Sequence, residues 1–218
     1  MTLPKSPFTI AGGCNCGPIR YKVNVPEFEE RPVLTYCDAH AISNDVRFPR
    51  VLIDHCNDCR RATGSLIGLV LCLPIPFLEF SVAAPYIGKY PADRSDIRDE
   101  GRKWTGGSEF LRPEDLVAGK HAPLKIYRSS PRILRGFCDN CGTMMLYRPI
   151  KFPEGWIESC DIWMGTFDKS DLEKEWMKPE CELWWDMGIP WVREMVRDGT
   201  VKVDMPRHPQ WQTNHFVE

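Results

Sequence analysis

The chain has 218 residues, 43% of them hydrophobic, which is enough to bury a core in one large domain or two small ones and excludes disorder and fibrous repeats. Charged residues make up 27% and the formal net charge is -2, so no electrostatic excess favours nucleic acid, a membrane surface or a polyanionic partner. Ten cysteines are too many for inert filler, and metal binding is the leading explanation where no secretory signal argues for a disulfide framework.

In chain order, the start MTLPKSPFTIAGG carries one lysine and no apolar stretch of signal-peptide length, so a reducing cytoplasm is the expected compartment. Next comes Cys14-Asn15-Cys16-Gly17, read as a strand end whose alternate residues face the same side and bring two sulfurs near one centre. Ile19 to Val25 alternates apolar and polar residues as a half-buried strand does. Glu30 to Arg50 precedes the second cysteine cluster and carries Cys37 and His40, whose C-x-x-H spacing suits zinc. The cluster itself is Asp54-His55-Cys56-Asn57-Asp58-Cys59, with a short helix expected to begin near Cys56. An Asp-x-Cys-x-x-Cys loop offers three protein ligands and leaves one position for water or substrate, the pattern of a catalytic zinc. Two other readings stay open: a closed site completed by Cys37 and His40, or metal-free thiols.

The longest apolar run, Leu66 to Leu78, holds an expected strand at Leu69 to Leu73; it is shorter than the roughly 20 residues of a membrane helix and contains Pro74 and Pro76. Pro85 to Pro123 turns polar, with Asp93, Arg94, Asp96, Arg98, Asp99, Glu100, Arg102 and Lys103, and reads as a surface excursion, either a solvated insertion or a flap over the site. Further strands are expected at Leu124 to Tyr127, Met144 to Tyr147 and Ile157 to Trp163, and a helix at Ser170 to Met177 with Ser170 as N-cap and Glu173 three residues on. Between them, Cys138-Asp139-Asn140-Cys141-Gly142 has the shape of a zinc knuckle, the glycine taking the positive φ that the turn needs. Tetrahedral zinc needs four ligands, so Cys14, Cys16, Cys138 and Cys141 are expected to close one structural site; two unrelated turns with free thiols are the alternative. The tryptophans Trp156, Trp163, Trp176, Trp184, Trp185, Trp191 and Trp211 are expected in a core or interface, or else in a pocket wall.

Three segments together carry a resemblance: Gly13 to Tyr21, His55 to Ser65, and Gly136 to Thr143, continued by Tyr147-Arg148-Pro149 and Gly165-Thr166-Phe167-Asp168. From about Phe8 to Trp191 the chain resembles the glutathione-dependent formaldehyde-activating enzyme family, which also contains centromere protein V. Segments 28–51 and 85–123 have no counterpart and count as insertions in a single domain spanning 1–218. The resemblance implies a mainly β fold, a two-layer antiparallel zinc β-tent with short helices, whose layers meet at a structural zinc on the first and last cysteine pairs. It also implies a second, catalytic zinc on a C-x-C-x-x-C loop, in which Asp54 here replaces the first cysteine. An oxygen donor is harder than sulfur and leaves the ion more electrophilic, which suits a water or carbonyl reaction.

The functional expectation is a zinc-dependent carbon-sulfur lyase-like enzyme acting on glutathione adducts or a small electrophile, a specialised pathway enzyme rather than a formaldehyde activator. Asp54, Cys56 and Cys59 would hold the catalytic ion, His55 would shuttle a proton, and Arg60 and Arg61 would fork onto substrate carboxylates. The bland readings are an outward-pointing His55 and ordinary helix-surface arginines. The rival function is a non-catalytic zinc-stabilised binding or scaffold module. Nucleic acid is set aside, because Arg128, Arg132 and Arg135 form only a small local basic cluster. A membrane partner is likewise not expected, and self-association into a homo-oligomer stays open.

Overall fold

The alternation in Ile19–Val25 does what a half-buried strand requires: Ile19, Tyr21, Val23 and Val25 are buried, while Asn24 faces solvent. In the computed structural model, which describes residues 3–34, 46–83 and 99–198, this strand (β2) pairs antiparallel with β1 (Phe8–Gly13) on one side and β5 (Leu78–Val82) on the other. A short β6 (Thr105–Gly106) completes a four-stranded sheet in the order β1-β2-β5-β6. A seven-stranded sheet runs β11-β3-β4-β10-β9-β8-β7, built from β3 (Arg50–Asp54), β4 (Gly68–Pro74), β7 (Leu124–Ser130), β8 (Ile133–Cys138), β9 (Met144–Pro149), β10 (Ser159–Trp163) and β11 (Cys181–Leu183). Every pairing is antiparallel except β11 against β3. The fold is therefore mainly β with two sheets and short helices, as expected from the punctuated strand pattern.

The two faces of the larger sheet have different duties. One face presents Val51, Leu71, Leu73, Leu134, Leu146 and Ile162 to the smaller sheet, and these join Ile10, Ile19, Tyr21, Val23 and Phe80 in the main core. The opposite face carries a smaller cluster around Leu52, Val70, Cys72 and Trp163. It also carries a row of cross-strand partners: Arg50 opposite Cys72, Cys72 opposite Asp161, Asp161 opposite Tyr147, and Tyr147 opposite Arg135. Because strand side chains alternate, this row and Asp54, four residues along β3 from Arg50, share one face.

Several expectations change in detail. Ser170 caps no helix. Helix α4 is only Lys169–Leu172, Asp168 stands at its N-cap, and a separate 3-10 turn spans Glu175–Met177. Asp168 is held by Arg20, whose Nη1 and Nη2 donate to its two oxygens at 2.7 and 2.6 Å, and Asp171 accepts the Ala11 N–H at 2.8 Å. These tertiary partners fix where the turn begins and override the local capping pattern. The surface excursion at Pro85 to Pro123 is corrected over its described part. Helices α2 (Gly107–Phe110) and α3 (Pro113–Val117) bury Phe110, Leu111 and Leu116 in the main core, and β6 extends the smaller sheet. Asp99 bonds Arg20 at 3.2 Å, and Arg102 donates to the Gly17 and Pro18 carbonyls, so these charges anchor rather than solvate. Asp93, Arg94, Asp96 and Arg98 lie outside the described residues. The segment 28–51, expected as an insertion, ends in the first two residues of β3, Arg50 and Val51. Among the described residues no helix is long and apolar enough to cross a membrane.

Candidate metal centres

Cys14 and Cys16 follow β1 of the smaller sheet, while Cys138 ends β8 of the larger one and Cys141 follows it. Their four sulfurs lie within 4.8 Å of one another. Cys14 and Cys16 are not a strand end: a turn closed by the Gly17 N–H on the Cys14 carbonyl, with Gly17 at φ 93, folds the two thiols together. The second pair is the expected knuckle, with Gly142 at φ 71 donating to the Cys138 carbonyl. The Sγ atoms of Cys16 stand 3.6 Å from those of both Cys14 and Cys138. A zinc with sulfurs at about 2.3 Å in a tetrahedron spaces them about 3.8 Å apart, so these thiols fit the ion. Their protonation reads the same way. Burial pushes Cys16 up to about 11, and the Cys14 thiol beside it, with burial, raises Cys138. Partial burial raises Cys141 too, yet hydrogen bonds with Thr143 and Cys16 bring it down to about 6. Four sulfurs crowded together shed protons unevenly unless a cation shares their charge.

The second cluster is Asp54, Cys56 and Cys59, again with ligand atoms within 4.8 Å of one another. Asp54 ends β3, and its Oδ1 accepts the Cys56 N–H at 2.8 Å, fixing the carboxylate across the loop. Cys56 is the N-cap of α1 (Asn57–Thr63), so Cys59 falls one turn later on the same side. Gly64, at φ 71, ends the helix. Gly68 stands opposite Asp54, where a Cβ would lie 2.8 Å from the Trp163 ring and 3.2 Å from the Asp54 Cβ, so the bare backbone leaves Asp54 its position. Cys59 also receives a hydrogen bond from Nη2 of Arg135 at 3.3 Å. Arg135 is 2% exposed and its guanidinium lies 5.0 Å from the Tyr147 ring centre, a buried cation directly beneath the triad. Three anionic ligands around a dication carry a net charge of minus one, and the Arg135 guanidinium cancels it, so the donor set and its support fit a divalent ion in a buried setting.

The triad opens on a cleft of about 560 Å³ whose wall also includes Arg135, Tyr147, Asp161, Leu183, Trp184 and Met187. Burial, with the Asp54 charge adding to it, pushes the Asp161 carboxyl up to about 7. Burial and the neighbouring Asp161 and Cys59 raise Tyr147 as well. Trp184 adopts φ 57, a left-handed backbone that costs a non-glycine residue about 1 kcal/mol or more, and it is 59% exposed at the cleft mouth.

Three expected site residues stand apart from this cleft. His55 points to the other side of the chain from Asp54: its Nε2 is 2.7 Å from Glu182 Oε2, its ring meets Trp185 edge-on at 5.6 Å, and it is 2% exposed. Neighbouring residues of an extended chain diverge, so His55 faces away from the triad, buried against Glu182 and Trp185 rather than turned to solvent. Arg60 bonds Asn57 on its own helix at 3.4 Å, Arg61 is exposed on that helix, and neither lines the cleft. Cys37 and His40 lie outside the described residues. Sequence reasoning missed Arg135, Tyr147 and Asp161, which no spacing connects; only strand register brings them together. Trp184 and Trp156 are in pocket walls, whereas Trp163 is in the smaller cluster and Trp176 packs on Phe8 at 4.8 Å. Trp211 lies outside the described residues.

Compared with known proteins, the chain matches no family model and no curated protein.

Proposed function

We propose that this chain is a zinc-dependent enzyme of carbon-sulfur bond chemistry, as the resemblance to the glutathione-dependent formaldehyde-activating enzymes implies. In this reading one zinc at Cys14, Cys16, Cys138 and Cys141 is structural and a second at Asp54, Cys56 and Cys59 is catalytic. The observation that carries it is the convergence of the three donors of the triad on the wall of an open cleft, where a fourth protein ligand among the described residues is lacking. A divalent ion held there supplies Lewis acidity toward a thiolate sulfur or a carbonyl oxygen.

The chain's own groups supply the rest. Burial and Asp54 push the Cys59 thiol up, and the Nη2 hydrogen bond from Arg135 opposes that shift, so it favours the anionic form that a metal ligand needs. Asp161, whose carboxyl is poised near neutrality, stands in the cleft to exchange a proton with the substrate. In the lyase direction, a thiohemiacetal gives up its hydroxyl proton to the Asp161 carboxylate as the carbonyl forms. The carbon-sulfur bond breaks with its electron pair on sulfur, and the proton returns to that sulfur when the thiol leaves. No oxidant or reductant is needed. Leu183, Trp184 and Met187 narrow the access of bulk water to this step.

The test is metal stoichiometry coupled to turnover. The expected result is two zincs per chain, one removed by mild chelation together with the interconversion of glutathione, a small aldehyde and their thiohemiacetal, followed by NMR exchange. A single tightly held zinc, with no acceleration by the protein, would instead identify a zinc-stabilised scaffold.

A further inference from the structure

The metal cleft is not the only cavity on its face of the sheet. A second chamber of about 240 Å³ is walled by Leu34, Leu52, Phe152, Pro153 and Trp156, and it shares Tyr147, Asp161 and Leu183 with the metal cleft. The two cavities meet along the cross-strand row described above, with Arg135 at the metal side, Asp161 and Tyr147 at the junction, and Cys72 and Arg50 at the far side. The chemistry changes sharply along that line. The metal cleft gathers carboxylates and thiols, whereas most of the far chamber's wall is aliphatic, aromatic and proline carbon, with Cys72, Ser159 and Cys160 on its strands and Lys151 exposed at its edge. Its guanidinium, Arg50, is neutralised by Glu180 at 2.8 Å and does not call for an anion.

Volume sets the size of an occupant. An apolar protein cavity of about 150 Å³ takes a benzene ring, so one of about 240 Å³ takes a fused bicyclic ring or a substituted single ring. Flat aromatic and proline surfaces favour such a body over a flexible or charged one. Phe152, Pro153 and Trp156 all come from the connection between β9 and β10, the strands that also supply Tyr147 and Asp161. The chamber wall and the junction are thus parts of one hairpin, held in register by Asp161 opposite Tyr147.

We propose that the substrate is a ring-bodied apolar molecule that seats its ring in the Phe152-Trp156 chamber and extends its sulfur or carbonyl group past Asp161 to the Asp54-Cys56-Cys59 triad. This inference rests on the proposed function for the metal end and adds to it the class of substrate. A one-carbon aldehyde leaves the chamber unused; an aromatic aldehyde or its thiol adduct fills it.

The experiment uses the full chain with both centres loaded with cobalt(II), whose visible spectrum reports a new thiolate ligand, and three probes: 2-(naphthalen-2-yl)ethanol, the matching 2-(naphthalen-2-yl)ethanethiol, and ethanethiol. The alcohol, measured by equilibrium dialysis, reads the chamber alone. It is expected to bind, and Phe152→Ala and Trp156→Ala, both on the surface-facing connection, are expected to weaken it at least threefold with metal content unchanged. The naphthyl thiol is expected to change the cobalt spectrum and to bind at least tenfold more tightly than either the alcohol or ethanethiol, an advantage lost in Asp54→Ala. Absence of alcohol binding, or binding insensitive to both substitutions, overturns the ring seat even if ethanethiol perturbs the cobalt spectrum and the catalytic metal stands. Alcohol binding without any gain for the thiol overturns the spanning pose. A cobalt spectrum unmoved by ethanethiol, with ring binding intact, refutes the proposed function at its metal end and the spanning pose with it, while leaving the chamber as a ring site.

Discussion

Replacing Asp54 by alanine and by asparagine separates its two structural duties. Its side chain is a candidate ligand of the second metal, and its Oδ1 also accepts the Cys56 N–H at 2.8 Å, so it shapes the loop that aims Cys56 and Cys59. Alanine removes both functions. Asparagine keeps a carbonyl oxygen for the Cys56 N–H but loses the anionic donor. Loss of an outer-shell partner typically weakens metal binding by about 10–100-fold, and loss of a direct ligand costs more, so both variants should fall from two zincs per chain to one. The loop hydrogen bond is worth about 1 kcal/mol, because Asp54 is 7% exposed and its removal leaves the N–H poorly satisfied. In a chain of this length that corresponds to about 2–4 °C in Tm. The comparison is made with the weaker zinc chelated from all three proteins, so that metal loss does not mask the loop term. Zinc is counted by elemental analysis and Tm by calorimetry. The expected order is wild type and Asp54→Asn together, with Asp54→Ala lower. Two zincs retained by either variant removes aspartate from the ligand set, and equal melting of Asn and Ala refutes the loop argument.

Two further outcomes follow from other parts of the molecule. Cys138→Ser should leave the protein insoluble or unfolded, because a structural zinc contributes on the order of 10 kcal/mol and whole domains have only about 5–15 kcal/mol in hand. Cys181→Ser, which touches neither cluster, should remain folded, and a soluble Cys138→Ser with unchanged melting would count against the four-cysteine site. His121 stacks on the core residue Phe110 at 3.9 Å, its Nε2 is buried without a partner among the described residues, and burial holds its pKa below the ordinary 6.5. The folded state therefore prefers the neutral ring, and its contribution to stability is present above the unfolded pKa and lost as pH falls from about 6.5 through the folded value. Melting measured from pH 7.5 to pH 5 should fall less for His121→Phe than for the parent, and parallel profiles would refute this.

The candidate metal ligands were legible in the sequence because they follow from short spacings: C-x-C-G, D-x-C-x-x-C and C-x-x-C-G each bring donors together by local turns, whatever surrounds them. The mainly β fold was legible for a similar reason, since Ile19 to Val25 displays its burial in its own alternation. Even there, local reading went astray where a distant partner intervened. Arg20 holds Asp168, so the turn after it starts at Lys169 rather than at the capping pattern of Ser170. Phe110, Leu111 and Leu116 were hidden in a stretch whose charges suggested a solvated excursion.

What the sequence by itself determined was the chemistry of the donors and their grouping in pairs and triads. Only the tertiary structure decided which groups stand around them. Arg135, Tyr147 and Asp161 meet because β8, β9 and β10 pair in one register, and shifting any strand by a single residue would turn its side chain to the opposite face. His55 faces away from the cleft although it lies between two candidate ligands, while Arg135 reaches Cys59 from 76 residues further along the chain. Local spacing groups the candidate donors over a few bonds; the Arg135 guanidinium, the Asp161 carboxyl and the Tyr147 ring beside them come from sheet pairing, which no window of sequence encodes.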